Sequence, residues 1–326
     1  MDLFDSLEET QTQTVQTTQS STEDLVEFTD DMITKVLEGG RTAKEEAERP
    51  FWKFPKVDYP YDHHRLAYLC SFGDKGAGKT TTAMSVSGNV LAITFENRAN
   101  LTLPWSKFFK YNPRFQIFSF AEHIDRTHKG TYRDTSNEAY LQIVNLMNRA
   151  RALDQKFDWV IIDGLQAGQK LAEQRMRSVN NEGAFSRFKN LSLWGERSMY
   201  FENVVMQLSS QVASKGVYLT SQNVLQKAMF LTEEQKGAGK TEDDIPVKEP
   251  KWKDKIKDDV HAVIYHTIQS KDMGKVGKEM HYKAEVSTNK LGSTGAYDLT
   301  LSVDNPKATT NFIKDVLTQP SEFIIE

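Results

Sequence analysis

Residues 73 to 80 read Gly73, Asp74, Lys75, Gly76, Ala77, Gly78, Lys79, Thr80, filling the pattern glycine, four variable positions, glycine, lysine, threonine without a gap. The flanks constrain the fold as much as the letters do. The apolar, β-rich run Leu66 to Phe72 precedes the loop, and a short helix, Thr81 to about Val86, follows it. A strand, a glycine turn and a helix in that order make a unit whose loop wraps a phosphate: glycines let the backbone approach closely, and amide N–H groups at the helix start supply donors. In such a loop the lysine reaches the β and γ phosphates and the threonine hydroxyl binds Mg2+. Gly73 to Thr81 is therefore the candidate ATP-binding segment, with Lys79 the candidate catalytic cation and Thr80 a candidate metal ligand.

The rest of the chain alternates in the same way. Strand-like Val90 to Glu96 and Phe115 to Phe118 are followed by a helix from about Asn137 to Leu153, the apolar strand Trp159 to Asp163, a long helical stretch, and strand Val217 to Ser221. Strands joined through helices imply crossover connections and so an α/β fold on a mainly parallel sheet flanked by helices. His261 to Ile268, His281 to Ser287 and Tyr297 to Val303 read as a C-terminal β extension. The expected division is a polar tail over 1–22, a helical N-terminal segment over 23–60, a core over 61–310, and a C-terminal helix or tail over 311–326. Leu25, Phe28, Met32, Ile33 and Val36 give the N-terminal segment its helical spacing, either to cover its own core or to dock on a neighbouring subunit.

Composition narrows the setting. No uncharged apolar run approaches the ~18 residues of a membrane span, and the N-terminus is acidic, so a membrane or secreted protein is not expected and the cytoplasm is the default. The one cysteine, Cys70, lies in the strand before the loop and reads as a small core residue. Eight carboxylates and no Lys or Arg fall within residues 1 to 30; taking those charges from the total of −4 leaves the remainder at +4. A mildly basic body permits a nucleic-acid partner without requiring one.

Three strand ends supply the other candidates. Asp163 closes Trp159, Val160, Ile161, Ile162, Asp163, 84 residues beyond Lys79, where a carboxylate can hold the metal. Glu96 ends Leu91 to Glu96 and is the candidate base that activates water; alternatively it leaves its strand into solvent. Gln222 follows Val217 to Ser221 and either senses the γ phosphate or simply opens a loop. In a parallel sheet all three emerge at one edge.

Taken in order over roughly residues 62 to 305, the loop, the unusually short helix running into Val90 to Glu96, Asp163 and Gln222 resemble a RecA-like P-loop ATPase, in particular the phage-type proteins associated with single-strand annealing. The resemblance implies that Glu96 is the catalytic base and that Gln222 couples nucleotide state to DNA loops, although the phage subgroup often carries histidine there. It implies too that Lys290, in Thr288, Asn289, Lys290, Leu291, Gly292, reaches the γ phosphate of a neighbour in a ring or filament. A hairpin lysine in solvent is the other reading of Lys290. Partition-type ATPases are disfavoured, because their loop has lysine at the second position where this chain has Asp74.

Lys236 to Thr241 repeats Lys75 to Thr80 letter for letter, but Glu234 stands at the first glycine position and no strand and helix frame the run, so it reads as a loop. Lys170, Arg175, Arg177, Arg187 and Lys189 interleave with Phe185 and Phe188, a mixture suited to single-stranded DNA and equally to a solvated helix with its loop. His63 and His64 have no metal-ligand spacing. Two other functions stay open: a nucleotide-dependent interaction module for helicase loading or virion assembly, and a phosphotransferase, which would want an arginine-rich lid that Gln226 to Asp259 does not provide.

Overall fold

In the computed structural model of the chain, described residues are 25–29, 31–32, 40–57, 59, 66–95, 113–124, 131–187, 192–227, 246–250, 259–272, 278–302 and 305–318. The strands are β1 (Leu25–Val26), β2 (Phe51–Trp52), β3 (Ala67–Gly73), β4 (Val90–Thr94), β5 (Phe115–Ser119), β6 (Phe157–Asp163), β7 (Ala213–Lys227), β8 (Pro246–Pro250), β9 (Ala262–Asp272), β10 (Lys278–Asn289) and β11 (Gly295–Asp298). The α-helices are α1 (Ala43–Ala47), α2 (Lys79–Ala83), α3 (Tyr132–Arg151), α4 (Leu165–Val179), α5 (Leu193–Glu202), α6 (Ser209–Val212) and α7 (Ala308–Leu317), with a π-helical turn, Asn203–Leu208, joining α5 to α6.

Among the described residues, nine strands form one sheet in the order β11, β10, β9, β3, β7, β6, β4, β5, with β8 paired to the far end of β7. Every pairing from β9 through β5 is parallel, and β10, β11 and β8 are antiparallel additions. Parallel strands covered on both faces must be apolar throughout. β4 accordingly reads Val, Leu, Ala, Ile, Thr, all buried, and β6 buries all but Asp158. Alternate residues divide between two cores: Cys70 and Phe72 enter one with Ile143, Leu171 and Val205, whereas Ala67 and Leu69 enter the other with Met84, Phe312 and Ile313. α3 to α6 cover the first face; α2 and α7 lie over the second.

The ends of the chain differ from expectation. Instead of a helix, Leu25–Val26 form a strand parallel to Phe51–Trp52. Asp31 and Met32 are helical, while Ile33 and Val36 lie outside the described residues; α1 begins with a capping box between Thr42 and Glu45 and buries Ala43 and Ala47 in the first core. This stretch is fastened to β5 by polar side chains. Glu46 accepts from the Ser119 amide at 2.9 Å, Arg49 donates to Glu46 and to the Ile117 carbonyl, and Gln116 exchanges two hydrogen bonds with the Trp52 backbone at 2.9 and 2.8 Å. At the other end the helix starts at Ala308, and Phe312, Ile313, Val316 and Leu317 belong to the second core. Where a strand is expected over Tyr297 to Val303, the strand formed is Gly295–Asp298, whose four residues pair with Lys283 to Val286 of β10; Val303 lies outside the described residues.

Gly216 shows how tightly the centre is built. It pairs with Ala67 on one side and Trp159 on the other, and a Cβ there would lie 2.3 Å from the Trp159 ring and 2.8 Å from the Ala67 carbonyl oxygen. Gly216→Val should therefore destabilise the protein by about 3 kcal/mol, a loss of several degrees in Tm. Thermal denaturation checks this, and an unchanged Tm would contradict the packing described.

Candidate functional site

The parallel strands bring several polar residues to their common carboxyl edge. Thr94 pairs with Asp163 and Asp163 with Thr220, while Gly73, the first glycine of the loop, pairs with Gln222 on one side and His266 on the other. Because Thr94 and Asp163, which end β4 and β6, and Thr220 within β7 point to the same face as α2, they form a row beneath that helix.

The loop closes over this row. Gly78 caps α2 with φ 87°, a left-handed value that a side chain at this position would disfavour. Its carbonyl accepts from the Thr82 amide at 2.9 Å and from the Thr82 hydroxyl at 3.1 Å. The Lys79 ammonium curls back over the loop and donates to the Gly73 carbonyl at 3.1 Å and the Asp74 carbonyl at 2.7 Å, so the cation stands inside the concavity its own backbone makes. Asp74, Lys75 and Gly76 are exposed at its rim; Ala77 is buried, and Gly78, Thr80 and Thr81 are half-buried.

Thr80 and Asp163, separated by 83 residues, meet: the Thr80 hydroxyl donates to Asp163 Oδ1 at 2.9 Å. Thr220 donates to the same oxygen at 2.5 Å, and Thr94 donates to Oδ2 at 3.4 Å. Asp163 is only 2% exposed. Burial pushes its carboxyl above the usual range; the hydroxyls of Thr220, Thr80 and Thr94 and the Lys79 ammonium pull the other way. A buried carboxylate beside a hydroxyl suits a hard cation such as Mg2+, which takes one or two protein oxygens and completes its shell with water and phosphate oxygens. Among the described residues no cluster of three His, Cys, Asp or Glu side chains offers a metal site made by protein alone.

The remaining candidates are placed differently. Gln222 is half-buried beside the loop, and its amide donates to Gln166 Oε1 at 3.3 Å. Glu96 lies outside the described residues, two positions past Thr94. So do His63, His64 and the repeated run Lys236 to Thr241. Lys290 does not join the loop: its amide donates to the His261 carbonyl at the start of β9, five residues before the His266 that pairs with Gly73. At about 3.3 Å per residue this puts Lys290 roughly 16 Å from the loop along the sheet, toward the opposite edge. Of the basic cluster, Arg177 is buried and engaged with Glu173, the Gly183 carbonyl and Ser186, so it serves the fold; Arg187 and Phe185 are exposed.

Sequence reading missed Thr94 and Thr220. Both had one signal, a hydroxyl at the last inward-facing position of an otherwise apolar strand beside Asp163. It also missed His266.

The model of an AAA domain family matches residues 67–290, from the first residue of β3 to Lys290, more than two thirds of the chain. The chain belongs to this AAA domain family. Among solved structures it is similar to a KaiC-like protein from the hyperthermophilic archaeon Pyrococcus horikoshii OT3 (13% identity, TM-score 0.36, covering 72% of this chain and 85% of that one). It is also similar to a DnaB-like replicative helicase studied with primase (10%, 0.37, 73% and 55%) and to the ATPase domain of G40P (10%, 0.35, 76% and 84%). Among curated proteins none matches the sequence significantly. No helix among the described residues is long and apolar enough to cross a membrane.

Thr220 allows a direct test of the carboxylate's surroundings, since it also accepts from the Gly164 amide at 3.0 Å. Thr220→Val keeps the shape and strands that amide, at a cost of about 2 kcal/mol. Thr220→Ser should recover most of the loss in Tm, and equal values for the two variants would refute the hydroxyl's role.

Proposed function

We propose that this chain is a RecA-like ATPase that binds ATP with Mg2+ in the loop Gly73 to Thr80 and hydrolyses it by in-line attack of water on the γ phosphate, acting on single-stranded DNA in phage-type recombination or annealing. The observation that carries the nucleotide reading is the meeting of Thr80 and Asp163 at 2.9 Å beside the Lys79 ammonium, three groups from two segments far apart in the chain drawn to one sheet edge. AAA domain membership over residues 67–290 supports the same reading.

In this scheme the backbone amides of Gly76, Ala77, Gly78 and Lys79 cradle the phosphates, with Gly73, Asp74 and Lys75 forming the turn and Thr81 closing it at the helix start. Lys79 exchanges its contacts with the Gly73 and Asp74 carbonyls for phosphate oxygens, trading dipoles for full negative charge. Thr80 and Asp163 hold Mg2+, which when bound neutralises developing charge on the phosphates. Glu96, leaving the strand that pairs Thr94 with Asp163, takes the proton of the attacking water. Gln222, in register with Gly73, reports whether the γ phosphate is present.

Lys290 stands too far from its own loop to act there, which supports action on a neighbouring chain and hence a ring or filament. For DNA, support comes from Phe185: its ring is 55% exposed and stacks on Tyr132 at 5.3 Å and 10°, near the exposed Arg187, a platform of the kind on which bases stack.

Lys79→Ala should lower ATP affinity or turnover by at least about 100-fold; wild-type behaviour in this variant would overturn the nucleotide reading. Turnover per chain should rise with protein concentration and be stimulated by single-stranded DNA. Turnover independent of concentration would remove the role of Lys290, and hydrolysis indifferent to DNA would favour a nucleotide-dependent interaction module.

A further inference from the structure

Under the loop, on the face covered by α2, Ser71, Tyr218 and His266 are each 0% exposed. They stand on three adjacent strands, β3, β7 and β9, and Ser71 Oγ lies 2.6 Å from the Tyr218 hydroxyl and 2.8 Å from His266 Nε2. The packing is close: a Cβ on Gly73 would lie 2.2 Å from the His266 carbonyl oxygen. Among the described residues His266 Nδ1 is buried without a hydrogen-bond partner, and the ring lies against the backbone of Ala77 in the loop. Burial and the nearby Lys79 ammonium push the imidazole down to about 3, against a smaller opposing effect of the Ala77 backbone, so the ring is neutral and carries one N–H.

Which nitrogen holds that hydrogen follows from satisfying the three groups together. If it were Nε2, it would donate to Ser71, Ser71 would donate to Tyr218, and the Tyr218 hydrogen would face a buried interior with no acceptor assigned to it. If it is Nδ1, Tyr218 donates to Ser71, Ser71 donates to Nε2, and one donor is left, directed at the loop. The second arrangement avoids stranding a buried hydroxyl hydrogen and turns Nδ1 from an idle acceptor into a donor for the Ala77 carbonyl.

We infer that His266 is a positioning residue for the phosphate loop, its Nδ1–H holding the Ala77 carbonyl toward the sheet so that the Gly78 amide faces the phosphates. The peptide between Ala77 and Gly78 is planar and trans, with its C=O and N–H on opposite sides, so pinning one aims the other. Lys79 and Thr80 follow directly, so the relay from Tyr218 sets the first donor of the segment that carries both. This inference rests on the reading that Gly73 to Thr80 holds a nucleotide.

Histidine-selective 15N labelling of the intact chain reads the tautomer without any nucleotide. The His266 ring should be in the Nδ1–H form, and an Nε2–H form overturns the inference while leaving the nucleotide reading to Lys79→Ala. Two variants then separate the nitrogens: His266→Asn puts an amide near Nδ1, and His266→Gln puts one near Nε2. With ATP carrying a methylanthraniloyl fluorophore as probe, His266→Gln should weaken binding about fivefold and raise KM more than it lowers kcat, with His266→Asn recovering most of the affinity. Equal affinities in the two variants, or no loss in His266→Gln, would overturn the proposal. If these variants do not fold, Tyr218→Phe should let part of the His266 signal shift to the Nε2–H form; an unchanged spectrum sinks the relay.

Discussion

The site depends on a negative charge buried where water cannot reach it. Asp163, at 2% exposure, is kept by hydroxyl donors from three different elements, Thr80 at the start of α2, Thr94 ending β4 and Thr220 within β7. A carboxylate in that position is costly unless hydrogen bonds and a cation compensate it. The hydroxyls compensate part, and the Lys79 ammonium adds attraction. What they leave is a carboxylate still pushed toward its protonated form, which is the condition under which a divalent cation gains most by arriving. Threonines are suited to this: each donates to the carboxylate and fits its methyl group among apolar neighbours.

That charge can sit there because the sheet is parallel. β3, β4, β6 and β7 all run the same way, so the ends of β3, β4 and β6 and Thr220 within β7 reach one edge, and helices follow β3 and β6 on the way to the next strands. The loop after β3 then folds over the edge onto the face of α2. The other face is closed by α3 to α6 and carries bulky apolar side chains. Asp163 and the hydroxyls that hold it thus lie at one end of the face covered by α2.

Much of this was legible in the sequence. The loop, the strand ending at Asp163 and the alternation of strands and helices are written in local letters: glycines where a turn must bend, and unbroken apolar runs where both faces are buried. What was illegible depended on partners distant along the chain. Leu25 opens a helically spaced run, yet Leu25 and Val26 pair with Phe51 and Trp52, whose stretch is fastened to β5 by Gln116 on the Trp52 backbone and by Glu46 on the Ser119 amide. Arg177 looked like a phosphate contact, and only the fold of the following loop shows that its guanidinium holds the Gly183 and Ser186 carbonyls. His266, in a β-rich run, carried no mark of the loop it underlies, since 193 residues separate it from Gly73.

The antiparallel addition gives the parallel core a second connection. β9 pairs with β3 along the strand that leads into the loop, and β10 returns from the loop side to end at Asn289. The turn after it is held firmly: Asn289 donates to the Ser293 and Val316 carbonyls, and a Cβ on Gly292 would lie 2.6 Å from the carbonyl oxygens of Val316 and Thr318. The end of α7 therefore holds the turn that carries Lys290, while Ser85, two residues past α2, donates to the Thr309 hydroxyl in α7 at 2.7 Å. Loop, helix and distant turn are thus joined through paired strands and packed helices. Among the described residues the β9 and β10 register slips once, at the bulge between Val286 and Thr288, whose near side lies two residues before Lys290 and where an extra residue bends the strand locally.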